Sequence, residues 1–264
     1  MNELFIDDAN FMQFVTDPVV GGQQQKRGMK PRDFQRVPHG SLPFAAAFSL
    51  PIIPRAEWSG RIKELEKAQA RLSDLVRAAN MPCLNQNGTN YCWANAPVNC
   101  VRILRAVNNQ PFVDLSPASV AARFTNYQNV GGFGTDALKF IVDNGVCSTA
   151  VWPANAIDPQ FDTAASRANA AQHKVTEWLD LKPRSFDQLA TCLLLGFPVA
   201  VGYNWWEHEV TALDLVEPSP GVFGVRIWNS WGDDWENRGM AVLSESRGTP
   251  DDAVCPQVTG GSGD

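Results

Sequence analysis

Histidine is scarce in this chain of 264 residues: there are three, His39, His173 and His208, so imidazole chemistry has few candidates. Basic charge is also short, with 22 Lys and Arg against 28 Asp and Glu and a net charge of −6. A protein that grips nucleic acid or an anionic membrane needs a basic surface, so neither is expected as a partner. No apolar run is long enough to cross a bilayer; the longest, residues 192–206, is interrupted by Gly196 and Pro198. Residues 1–8 lack a basic cluster followed by an apolar stretch, so no secretory leader is expected and the chain reads as cytoplasmic. No cysteine spacing suggests a zinc site, and no metal or cofactor is implied. There is no internal repeat.

Composition is otherwise that of a globular protein, 44% hydrophobic and 19% charged. Its six cysteines, Cys83, Cys92, Cys100, Cys147, Cys192 and Cys255, are spread too thinly for a disulfide scaffold. Residues 1–53 differ from the rest. A polar flexible stretch, Gly21 to Gly28, is followed by Pro31, Pro38, Pro43, Pro51 and Pro54, which keep the chain extended. This reads as an N-terminal arm, and its path is informative. An arm across a reactive cleft means autoinhibition; an arm pointing outward means a protein partner.

From Ser59 an apolar stripe of Ile62, Leu65, Leu72, Leu75, Val76 and Ala79 predicts one amphipathic helix of about five turns, ending near Asn80. Further helices are expected over 92–107, after Ser116-Pro117, from Thr135 to Asn144, and from Ser185, whose capping pattern includes Gln188, to Leu195. The period then changes to strands: 198–203, 210–216, 222–228 and 239–244. Helices followed by antiparallel strands define an α+β class. The main domain is placed at 54–247, and the tail 248–264 is expected to be loose.

One segment is set up for nucleophilic chemistry: Gln86-Asn87-Gly88-Thr89-Asn90-Tyr91-Cys92-Trp93-Ala94. A cysteine in the first turn of a helix has its thiolate favoured by free backbone N–H groups and the helix dipole. Gln86, across a glycine-containing loop, can fold back so that its amide joins the Cys92 N–H as an oxyanion hole. His208 enters a strand, and Asn229-Ser230-Trp231-Gly232 ends another. A Cys–His pair needs a group to orient the second ring nitrogen, and an asparagine oxygen serves.

The ordered set Gln86, Cys92-Trp93-Ala94, Gly131-Gly132, His208 and Asn229-Ser230-Trp231-Gly232 resembles the papain-like cysteine proteases. Leu115-Ser116, Trp152-Pro153 and Pro198 to Val201 match in the same order, and residues 54–58 look like the opening of the family's mature domain. The resemblance implies two lobes, one helical with Cys92 and one β-rich with His208 and Asn229. Cys92 is then the nucleophile, His208 the general base and acid, Asn229 its orienter and Gln86 an oxyanion donor. Gly131 and Gly132 offer backbone groups to an extended peptide. Trp93 and Trp231 join them as substrate-side residues, Trp231 also shielding the His208–Asn229 bond. The implied activity is hydrolysis of peptide or isopeptide bonds through an acyl-enzyme. Acyl transfer to an amine uses the same residues. The alternative, from a different class, is a structural or assembly component that keeps the fold, is virion-associated and binds a protein partner through residues 1–54.

The chain departs from the family pattern before the nucleophile, where Thr89, Asn90 and Tyr91 stand for Cys, Gly and Ser. The family pairs that cysteine with one just before the Gly-Gly, where this chain has Asn129, so both halves are missing together. Tyr91 is expected to reshape the cleft floor. Glu207 and Glu209 read as solvated charges, and the five cysteines other than Cys92 as buried thiols. The family's pro-segment with its long charged helix is not visible in residues 1–54.

Overall fold

The computed structural model describes residues 3–35, 45–47 and 49–260. The arm supplies β1 (Phe5–Ile6), β2 (Val19–Val20), β3 (Gln23–Gln24) and β4 (Ala45–Ala47). The expected five-turn helix is two: α1 (Arg55–Ala68) and α2 (Leu72–Ala78). Gln69 takes a left-handed φ of 50° and closes α1, and the Asp74 carboxylate accepts the Arg71 N–H to start α2. The break has no glycine or proline to announce it. It re-aims the apolar stripe: Trp58 and Ile62 enter one core, Leu72 and Val76 another with Ile103, Leu213 and Trp228.

Then come α3 (Cys92–Val107), at the expected bounds, α4 (Ala118–Phe124), α5 (Gly134–Asn144) and α6 (Ala164–Ala170). The β-rich half holds β5 (Lys174–Asp180), α7 (Phe186–Leu194), β6 (Val199–Tyr203), β7 (His208–Ser219), β8 (Val222–Trp228), β9 (Met240–Ser244), α8 (Glu245–Gly248) and β10 (Asp252–Gly260). Ser185 caps α7 by accepting the Gln188 N–H, but the Gln188 side chain turns to Lys182 N, so the capping box is half made.

One sheet runs β1-β9-β8-β7-β6-β10-β5-β4. The expectation of a loose C-terminal tail is corrected, because β10 lies inside this sheet, antiparallel to both β6 and β5. Its Asp252-Ala253-Val254-Cys255 run, short and holding an Asp, lacks the alternation that marks a half-exposed strand. The arm caps both edges: β1 pairs with β9 and β4 with β5, each in parallel. Between these anchors residues 25–32 pass over the junction of helices and sheet.

Every residue of α3 from Cys92 to Leu104 is buried. The helix lies between a core shared with α4 and α5 and the strands β6, β7 and β10. That placement brings the start of α3 to the start of β7, where the two lobes meet.

Candidate active site

Cys92 is the first residue of α3, where backbone N–H groups have no intrahelical acceptor. The loop before it is tied down: Gln86 N–H donates to Ser230 O (2.9 Å), and Thr89 donates to Gln86 O from both N (3.0 Å) and Oγ1 (2.7 Å). The backbone amides of Glu209, Met29 and Trp93 favour the Cys92 thiolate. Glu209 directly follows His208, so the thiol sits at the start of β7.

His208 Nε2 lies 2.7 Å from Asn229 Oδ1. The Ser230 N–H, which can only donate, meets the same Asn229 atom at 2.7 Å, which identifies it as the oxygen. His208 Nε2 therefore carries the proton, and Nδ1 holds the lone pair. Nδ1 is buried with no hydrogen-bond partner among the described residues. Trp231 stacks on the imidazole, centroids 4.7 Å apart, and Trp206 meets its edge at 5.1 Å. Both indoles keep water from the His208–Asn229 bond.

Burial dominates the electrostatics. It pushes the Cys92 thiol up to about 12, with the Glu209 charge adding to the effect and the three amides opposing it. It pushes His208 down to about 3; the Asn229 bond opposes this and Arg27 adds to it. The site therefore holds a neutral thiol and a neutral imidazole.

What buries it is the arm. Gly132 N–H donates to Gly28 O (3.0 Å) and Gly132 O accepts from Lys30 N–H (3.0 Å), so Met29 runs parallel to Gly132 as an added strand. The Lys26 carbonyl accepts from Gln86 Nε2 (2.8 Å) and Trp231 Nε1 (3.2 Å). Gln86 Oε1 is held by Ser230 Oγ at 2.6 Å, which aims its NH2 group into the cleft. Arg27 reaches Asp17, Val15 O and Trp206 O, and Arg32, beyond the thiol, is buried between Asp180 and Asp252. The question left by the sequence has its answer: the described part of the arm crosses the cleft.

Gln86, Cys92, His208, Asn229, Gly131, Gly132 and Trp231 thus converge. Trp93 does not face the cleft. It is fully buried under Gly132, whose missing side chain it needs: a Cβ there would lie 2.7 Å from the indole. Tyr91 does not shape the cleft floor either. Its ring is buried against Trp93 and its hydroxyl donates to Gln128 O at 2.8 Å. Glu207 is exposed as expected, but Glu209 is 2% exposed, so its reading as a solvated charge is corrected. Asn129 comes to the loop before the nucleophile, where its Oδ1 accepts Asn90 N–H (2.7 Å) and its NH2 donates to Gly88 O (3.0 Å). Hydrogen bonds stand where the family has a disulfide, and all six cysteines are free and buried. Met29 and Arg32 had no sequence signal; their contacts are made by backbone or by a single charge in a polar stretch.

A helical half carrying Cys92 at the start of α3, and a β-rich half carrying the His208–Asn229 pair, make this the papain-like fold. No protein-family model matches the chain. Its sequence is similar to papain-family cysteine proteases: chymopapain of Carica papaya, 23% identical over 194 residues, and a cathepsin L-like proteinase of Phaedon cochleariae, 23% over 187. These matches cover 66% and 62% of this chain but 54% and 56% of the relatives, so the chain spans about half their length. Among solved structures, xylellain, a cysteine protease from Xylella fastidiosa, superposes with a TM-score of 0.63 at 17% identity, covering 89% of this chain and 98% of that one. Bromelain from Ananas comosus, in complex with the E64 inhibitor, gives 0.59 at 21%, covering 71% and 97%. No helix among the described residues is long and apolar enough to cross a membrane.

Proposed function

We propose that this chain is a cysteine endopeptidase of the papain type, held latent by its own N-terminal arm. In this reading residues 54–247 with β10 form the catalytic body and residues 1–53 the cover. The observation that carries it is the His208–Asn229 pair at 2.7 Å, which leaves Nδ1 buried and without a partner among the described residues, one residue from Glu209, whose amide favours the Cys92 thiolate.

With a peptide in place of the arm, His208 Nδ1 takes the thiol proton and Cys92 Sγ bonds to the scissile carbonyl carbon. The carbonyl electrons move to oxygen, which Gln86 Nε2 and the Cys92 N–H stabilise; one such donor is worth about 10²–10³ in rate. The imidazolium gives its proton to the leaving amine as the C–N bond breaks. Water, deprotonated by His208, then hydrolyses the thioester. Asn229 keeps the imidazole in the tautomer and direction both steps need.

The arm is not a substrate in this pose. A scissile carbonyl must meet the oxyanion donor and the sulphur together. Here Gln86 holds the carbonyl of Lys26, whereas the arm group that acts on the Cys92 thiol is the amide of Met29, three residues further on. The test is epoxide labelling and hydrolysis of a denatured protein substrate. The intact chain reacts slowly, release of the arm speeds it, and Cys92→Ala abolishes both. Hydrolysis that survives Cys92→Ala refutes the reading.

A further inference from the structure

The groove beside Gly132 holds a side-chain notch whose walls carry carboxyl groups; under the arm, burial raises the pKa of both Glu209 and Asp252. Gly202 on β6 lies opposite Glu209 on β7 and Asp252 on β10, so the three form one row across adjacent strands, with side chains on one face. The middle position is bare, and the Met29 side chain lies over it; a Cβ on Gly202 would come 2.5 Å from Met29 Sδ and 3.6 Å from Asp252 Cβ. Gly134 is bare too, and a Cβ there would collide with the Glu209 carboxylate. An uncharged, unbranched side chain thus fills a notch flanked by two carboxylates that are 2% and 9% exposed.

A second observation concerns charge. The cation that acts on both Glu209 and Asp252 comes from the arm: Arg32 NH1 is 2.9 Å from Asp252 Oδ1, and NH2 is 2.7 Å from Asp180 Oδ2. When the arm leaves the cleft, notch and cation leave together. The groove then presents Glu209, Asp252 and Asp180 to the next peptide that pairs with Gly132.

From this geometry we infer that the substrate residue opposite Gly132 is lysine or arginine, its methylenes lying over Gly202 where Met29 lies and its charge between Glu209 and Asp252. Lysine follows the unbranched path of methionine and extends beyond it, which carries its ammonium past the position of the thioether to the carboxylates. One residue therefore supplies what the arm divides between Met29 and Arg32. This assignment rests on the peptidase reading above and adds a substrate class to it.

The test uses the full-length chain carrying Gly28→Val, whose new side chain collides with Asn90 O and lifts the arm. Fluorogenic peptides are varied at each of the four positions before the scissile bond, with Lys, Arg, norleucine or Glu. At one position Lys and Arg should exceed norleucine by about tenfold or more in kcat/KM, with Glu slowest. Glu209→Gln with Asp252→Asn should remove that advantage, read as the Lys-to-norleucine ratio of kcat/KM within the variant; Asp252→Asn alone is read if the double variant does not fold. No position favouring Lys or Arg, or an advantage that survives neutralisation, overturns the assignment. Binding of the Lys and norleucine peptides to the same chain with Cys92→Ala, read by anisotropy, separates the two proposals. Tighter Lys binding without hydrolysis upholds the pocket and refutes the peptidase; hydrolysis without a Lys preference does the reverse.

Discussion

Removing the Arg32 side chain should open the cleft, and the size of the effect follows from the charges it leaves behind. In the closed state the guanidinium side chain is fully buried against Asp180, also fully buried, and against Asp252, 12% exposed. Deleting one partner of such a buried group costs about 3–5 kcal/mol, because the remaining charges stay desolvated and lose their guanidinium. In the open state water reaches the carboxylates and the cost disappears. Arg32→Ala therefore moves the open-to-closed ratio by about a hundredfold or more, at about 1.4 kcal/mol per tenfold. The closed state also protects the nucleophile. Raising the thiol from 9.0 to about 12 lowers its thiolate fraction at neutral pH about a thousandfold, which corresponds to about 4 kcal/mol. Alkylation of Cys92 by iodoacetamide should then proceed through rare opening, at a rate proportional to the open fraction. Peptide mapping by mass spectrometry should show Cys92 labelling about a hundredfold faster in Arg32→Ala, with the other five buried cysteines unchanged. Adding Asp180→Asn and Asp252→Asn to that variant should slow labelling again, since the desolvated charges are gone. Equal Cys92 rates in wild type and Arg32→Ala would refute the reasoning. So would a parallel rise at all six cysteines, which reports unfolding and not arm release.

The arm carries its own weak point: Gln25 is fully buried, and both ends of its amide lack partners among the described residues. Gln25→Met removes an unpaired polar group worth about 1–3 kcal/mol, so it should tighten the arm and slow Cys92 alkylation. His208 titrates at 6.5 when unfolded and about 3 when folded, so between those values the unfolded chain binds the extra proton and stability rises with pH. That contribution is complete above pH 6.5 and falls by about 2 kcal/mol at pH 5; urea unfolding of His208→Gln should lose this slope, and an unchanged slope refutes the buried neutral imidazole. Asn129→Ala deletes the bonds to Asn90 and Gly88 on an exposed loop. It should cost about 0.5–1.5 kcal/mol, a fall of a few degrees in Tm.

The candidate site was legible in the sequence because its members carry rare side chains in a fixed order: one Gln before a helix-starting Cys, one of only three histidines, and an Asn-Ser-Trp-Gly run. Helix α3 was readable because burial on all sides writes an apolar run with defined ends. Residues whose role depends on a partner far along the chain were not. Glu209 looked solvated because a strand with one open face alternates, whereas β7 is covered on both faces and alternates only in part. β10 was hidden for the same reason, and the break at Gln69 is set by packing, since no residue there disfavours a helix.

The arm is the sharpest case. Its hold on the cleft uses backbone groups of Lys26, Gly28 and Lys30, which at positions 26 and 30 carry no side-chain signature, so residues 25–30 look like a polar linker. Arg32 binds through a buried ion pair, and its partners, Asp180 and Asp252, lie 148 and 220 residues away. On the proposed peptidase reading, a segment that sits in the substrate groove without being cut gains from this economy. Backbone pairing with Gly132 holds the arm at the groove. The misplaced carbonyl of Lys26 denies the thiol a target, and one buried cation sets the strength of the latch. Changing that one residue should therefore change latency without touching Cys92, His208, Asn229 or Gln86.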